Sequence, residues 1–151
     1  MKLYLAAPLF TAAERAFNAA LAQRLRARGY AVWLPQENEP RHDGADAIFD
    51  KDVEGVDWCD AVIGNMDGPD PDSGTAWECG YAFATAKLIV VFRSDMRGGA
   101  DGGLAPFNIM LARSAHRIVE MAPFADIEQI ASAIDHALRD LAPRGERMAG
   151  A

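Results

Sequence analysis

Asp57-Trp58-Cys59-Asp60-Ala61-Val62-Ile63-Gly64-Asn65-Met66-Asp67-Gly68-Pro69-Asp70-Pro71-Asp72-Ser73-Gly74 is the stretch on which the fold turns. The uncharged run Ala61 to Met66 is short and bounded by acidic residues, as befits a strand buried on both faces. The Gly, Pro and Asp residues that follow cannot continue a sheet, so a loop must lead out of it. Upstream, Ile48, Phe49, Val53 and Val56 recur at helical spacing while Asp50, Lys51, Glu54 and Asp57 form a polar face, which predicts a helix from Asp46 to Trp58. Downstream, a further helix is expected near Thr75 to Lys87, and the apolar run Leu88 to Phe92 then reads as another strand.

The same alternation extends to both ends of the chain. Leu3 to Ala7 reads as the first strand, stopped by Pro8, and Thr11-Ala12-Ala13-Glu14 has the form of a capping box. Phe17, Leu21 and Leu25 mark the buried stripe of the helix so begun, Gly29 supplies its left-handed cap, and Ala31 to Pro35 is the second strand. Arg97 to Gly103 reads as a mobile loop, Arg117 to Met121 as a fifth strand, and Asp126 to Leu141 as a final amphipathic helix. Five strands alternating with helices predict an α/β, flavodoxin-like, doubly wound domain with a five-stranded parallel sheet, spanning residues 1–142 and followed by a frayed tail over 143–151.

Composition narrows the function. Of 151 residues half are hydrophobic and a quarter charged, and the formal net charge of −7 disfavours nucleic acid or any other polyanion as a partner. Cys59 and Cys79 read as buried free thiols, and His42, His116 and His136 are scattered without ligand spacing, so neither a metal nor a cofactor is expected. The N-terminal apolar run is too short for a signal peptide, which makes a cytoplasmic location the expectation, away from the membrane.

In a doubly wound sheet, ligands bind beyond the carboxyl ends of the strands at the switch point between the first and third. That rule selects the loops Ala6 to Thr11 and Asn65 to Gly74. The second loop brings Asp72 and Glu78 to the start of a helix, whose dipole favours an ionised glutamate, as attack on an electrophilic sugar carbon requires. Read from spacing alone, Asp72 serves equally well as a helix cap and Glu78 as a surface residue.

Four segments resolve that balance. Leu3-Tyr4-Leu5-Ala6-Ala7-Pro8-Leu9-Phe10, Asp57-Trp58-Cys59-Asp60-Ala61-Val62-Ile63, Asp72-Ser73-Gly74-Thr75-Ala76-Trp77-Glu78-Cys79-Gly80 and Pro106-Phe107-Asn108-Ile109-Met110-Leu111 together resemble the nucleoside 2-deoxyribosyltransferases and the related deoxynucleoside monophosphate N-hydrolases. The resemblance implies a retaining double displacement, in which Glu78 attacks C1′ and a second base then attacks the deoxyribosyl enzyme. It further implies that Tyr4 orients the nucleophile, that Asp72 contacts the sugar and assists proton transfer, and that Asp52 lies on the base side. Glu39 falls where the family places base-edge contacts, and Asn108 matches an asparagine lent by a neighbouring subunit, so a homodimer or higher homo-oligomer with a shared site is implied. The substrates implied are deoxynucleosides and free nucleobases. The ending Arg147-Met148-Ala149-Gly150-Ala151 lacks the aromatic residue that the family's transferases place near the site. Two rivals stand beside this reading: hydrolysis of deoxynucleoside monophosphates on the same scaffold, and a non-catalytic nucleotide-binding or receiver-like module.

Overall fold

The computed structural model describes residues 1–38, 40, 42–97 and 103–141. Five parallel strands, β1 (Lys2–Ala6), β2 (Ala31–Trp33), β3 (Ala61–Asn65), β4 (Leu88–Arg93) and β5 (Arg117–Glu120), form one sheet in the order β2-β1-β3-β4-β5. This is the flavodoxin-like arrangement expected from the alternation. The three central strands are almost wholly buried, whereas β2 and β5 keep exposed positions at the two edges. Their composition follows: near-continuous apolar runs in the centre, mixed residues such as Arg117 and Glu120 at the rim.

Alternating side chains divide the core into two layers. Leu3, Leu5, Ile63, Val90 and Phe92 point toward helices α1 (Ala12–Ala27) and α6 (Ile127–Leu141), packing on Leu21, Leu25, Ile130 and Ile134. Tyr4, Ala6, Val62, Ile89 and Val91 point the other way, toward α3 (Ala45–Trp58), α4 (Ser73–Ala84) and α5 (Ile109–Ser114), and meet Val56, Cys79, Ala82 and Leu111. Period-two alternation thus sends Tyr4 into the second layer while both its neighbours enter the first.

The helix ends obey local chemistry. Thr11 and Glu14 form the predicted capping box, with Glu14 N–H donating to Thr11 Oγ1 at 3.2 Å and Thr11 N–H to Glu14 Oε2 at 2.7 Å. Gly29 follows α1 at φ 91°, a left-handed conformation that glycine adopts without a steric cost. Asp126 and Gln129 exchange the same kind of reciprocal bonds at the start of α6.

Two expectations need correction. The second strand stops at Trp33, because Leu34 leads into a single helical turn, α2 (Pro35–Asn38), where proline suits the first helical position. The helix after the acidic loop begins at Ser73 and ends at Ala84, followed by a turn in which Ala86 takes φ 56°. Helix α5 has no readable period at six residues, and its one local signal in the sequence is Asn108 after Pro106 as a candidate helix cap. The expected mobile loop lies mostly, and the expected tail wholly, outside the described residues. Among the described residues no helix is long and apolar enough to cross a membrane.

Candidate active site

Tyr4 sits in the middle of β1, between Trp33 of β2 and Val62 of β3 in register, and is completely buried. A phenol there needs a partner for its hydroxyl. It finds Glu78 on α4: the Tyr4 hydroxyl donates to Glu78 Oε1 at 2.5 Å across 74 residues of sequence. Asp52, on α3, reaches the same hydroxyl. Two carboxyl groups therefore converge on one phenolic proton, on the side of the sheet that α3 and α4 cover.

Asp72 is the N-cap of α4, its Oδ2 accepting from Thr75 N–H at 3.0 Å. The capping role read from spacing and a place in the site coexist, since the Asp72 charge is near enough to act on Glu78. Gly74 belongs to this turn as well: a methyl group there would lie 3.1 Å from Asp72 Oδ2.

The electrostatics follow from that crowding. Burial pushes the Glu78 carboxyl up to about 8 from its ordinary 4.5, the Tyr4 hydrogen bond pulls it back, and the charges of Asp52 and Asp72 push it up again. The Tyr4 phenol is held far above its usual range, by burial first and then by Glu78 and Asp52, so it remains a neutral donor. This corrects the expectation drawn from the helix dipole. Glu78 lies in the second turn of α4, beyond the first turn where the dipole acts, so burial and its two carboxylate neighbours outweigh the dipole and favour its protonated form.

The loop before α4 is braced by residues that the sequence reading passed over. Asp67 accepts from the N–H groups of Ser94 and Asp95 and from the Ser94 hydroxyl, while Asp95 accepts from Gly68 N–H. Arg93, only 5% exposed, donates to the carbonyls of Met66, Gly68 and Arg97. The loops after β3 and β4 are thereby tied together, which fixes the approach to Asp72. Only the length and polarity of these loops are visible in sequence; their mutual pairing is not.

The remaining expected residues fall elsewhere. Asn108 caps α5, its Oδ1 accepting from Met110 N–H at 3.0 Å, and lines an apolar groove of about 530 Å³ between α4 and α5 with Ser73, Ala76, Phe83 and Met110. Tyr4, Asp52 and Glu78 do not line that groove. Glu39 lies outside the described residues. Cys59 and Cys79 are buried free thiols, and burial pushes both up, to about 11 and about 12, which removes them as nucleophiles.

Fold and site together define a doubly wound domain with a carboxylate cluster at the β1/β3 switch point, hydrogen-bonded to a tyrosine of the first strand. The family model of the nucleoside 2-deoxyribosyltransferases matches residues 3–133, and the chain belongs to that family. A conserved protein from Enterococcus faecalis V583 is similar at 27% identity and TM-score 0.70, over 90% of this chain and 98% of that one. A 2-deoxyribosyltransferase from Bacillus psychrosaccharolyticus is similar at 27% identity and TM-score 0.68, over 87% and 90% of the two chains. A CMP N-glycosidase from Clostridium botulinum shares the fold at 17% identity and TM-score 0.61, over 90% and 98%. No curated protein sequence matches the chain.

A half-buried glutamic acid whose proton is retained above its unfolded value stabilises the fold at low pH, and that contribution is lost as pH rises from about 4.5 to about 8. Glu78→Gln, which keeps an oxygen for Tyr4 and has no charge to bury, is therefore expected to stabilise the protein by roughly 1–3 kcal/mol at pH 9. At pH 5 the gain should be close to zero. Thermal unfolding of both proteins across this range checks the sign; an equal gain at both pH values would contradict it.

Proposed function

We propose that the protein is a nucleoside 2-deoxyribosyltransferase that cleaves the N-glycosidic bond of 2′-deoxynucleosides through a covalent intermediate on Glu78. The Tyr4–Glu78 hydrogen bond carries this reading, because a neutral donor on one carboxylate oxygen fixes the direction of the other. In the first step the Glu78 carboxylate attacks C1′, the C1′–N bond breaks, and its electron pair leaves with the base, which takes up a proton. In the second, a nitrogen of the acceptor base attacks C1′ as its N–H proton passes to Asp72, the ester bond breaks, and the Glu78 carboxylate is regenerated. Positive charge developing on the sugar ring favours the ionised Glu78 that burial and the neighbouring carboxylates disfavour. Asp72 contacts the sugar and assists proton transfer, and Asp52 serves the base side while sharing the Tyr4 hydroxyl.

A nucleoside suits this site better than its monophosphate. The start of α1, beyond the carboxyl end of β1, would be a natural phosphate cradle. There Phe10 N–H and Thr11 N–H both donate to Glu14 Oε2, at 2.9 and 2.7 Å, which sets a carboxylate at that helix start. With Asp52, Asp72 and Glu78 nearby, a phosphate would meet carboxylates in place of donors. Asn108 acts in the site of a second subunit, which the exposed groove supports; Phe83 and Met110 on its walls are 62% and 76% exposed. The functional unit is thus a homodimer or larger.

Incubation with a deoxynucleoside and a different free base should give the exchanged nucleoside, and the corresponding 5′-monophosphate should react at least about tenfold more slowly, consistent with one unfavourable interaction of over ~1.4 kcal/mol. Glu78→Ala should lower kcat by more than about a thousandfold with the fold unchanged. Faster release of base from the monophosphate would instead support the hydrolase reading.

Co-expression of Glu78→Ala with Asn108→Ala subunits should restore about a quarter of wild-type activity, since half of randomly paired dimers are mixed and half their sites complete. Activity no better than the mean of the two parents would place Asn108 outside any partner's site.

A further inference from the structure

Gly55 has no positive φ and lies inside α3, where glycine weakens a helix relative to alanine. Its packing accounts for it. A methyl group on Gly55 would stand 2.6 Å from Tyr4 Cε2, 2.6 Å from Trp33 Nε1 and 2.8 Å from Trp33 Cε2. These are contacts with two rings that sit side by side, because Trp33 and Tyr4 are register partners on adjacent strands. Neither ring has room to yield. Tyr4 is completely buried, and Trp33 is pinned by Trp58 at 5.6 Å between ring centres and by Lys51, whose Nζ lies 5.1 Å over the ring. The Trp33 indole N–H is buried without a hydrogen-bond partner, so ring contacts and not a hydrogen bond hold that side chain.

Cε2 is the ring carbon next to the one that bears the hydroxyl. Anything that moves it moves the donor that Glu78 accepts from. Asp52, one turn earlier on the same face of α3, meets that hydroxyl from the same helix. We propose that Gly55 is a positioning residue: its bare backbone seats α3 directly against the edge of the Tyr4 ring, and this contact sets where the Tyr4 hydroxyl holds the Glu78 carboxylate. The inference rests on the proposed role of Glu78 and Tyr4, and it adds a specificity for glycine at a position that touches neither substrate nor Glu78.

The test is a double-mutant cycle of Gly55→Ala and Tyr4→Phe, read by kcat and KM for base exchange. Each single variant is expected to lower kcat about ten- to a hundredfold with KM within about twofold, because orientation and not substrate contact is lost. The double variant should be no more than about twofold worse than Tyr4→Phe alone, since without the hydroxyl there is nothing left for Gly55 to place. If Gly55→Ala costs the same factor in both backgrounds, or raises KM alone, the inference fails while the role of Tyr4 stands. If Tyr4→Phe leaves kcat unchanged, the underlying reading of the site fails instead. Should Gly55→Ala not fold, the cycle is run in a Trp33→Leu background, which removes two of the three close contacts and leaves the Tyr4 edge. The same non-additivity is expected there, and additive losses overturn the proposal.

Discussion

A single hydrogen bond, from the buried Tyr4 hydroxyl to Glu78, joins the first strand of the sheet to the helix that follows the third. Its existence constrains much of the second core layer. The phenol must point away from α1 and α6, which the alternation of β1 ensures, and α4 must present its second turn to the sheet. Around the bond, Asp52 and Asp72 crowd negative charge against a carboxyl group that burial already penalises. Such a cluster is costly to build in a folded protein, and groups displaced from their ordinary pKa by burial and specific neighbours concentrate where chemistry is done.

The supporting parts solve local problems in ways that shape the site. Glu14 accepts from the N–H groups of Phe10 and Thr11 just before α1 and so places a carboxylate at the helix start. Arg93 and Asp67 hold two loops against each other at the carboxyl end of the sheet, so that the Asp72 cap is reached by a short braced path. Both are interactions of stability that also fix the shape and charge of the carboxyl end of the sheet.

The fold was legible because its signals were long and redundant. The runs Ala61 to Met66 and Leu88 to Phe92 could hardly be anything but central strands, and the capping box at Thr11 and the stripe Phe17, Leu21, Leu25 located α1 closely. Short elements escaped: α2 and α5 have too few residues for a period to show. Within the site, Tyr4, Glu78 and Asp52 were expected from motif resemblance, and the structure brings those three together, with Asp72 adjoining. Burial raises the Glu78 carboxyl, and two other carboxylates arriving from α3 and the preceding loop raise it further; a dipole read from linear position shows neither. The packing that makes Gly55 a contact for two rings is likewise a property of register between β1, β2 and α3, which no local pattern encodes.

The claim on which the account stands is that Glu78 carries the sugar between bases. Rapid acid quench of the protein mixed with a stoichiometric deoxynucleoside in the absence of acceptor base, followed by peptide mapping by mass spectrometry, addresses it directly. A deoxyribosyl ester is expected on the peptide containing Glu78, appearing with the released base and discharged when a second free base is added. Base release with no adduct at Glu78 at any quench time, or an adduct on Asp52 or Asp72 in its place, would contradict it.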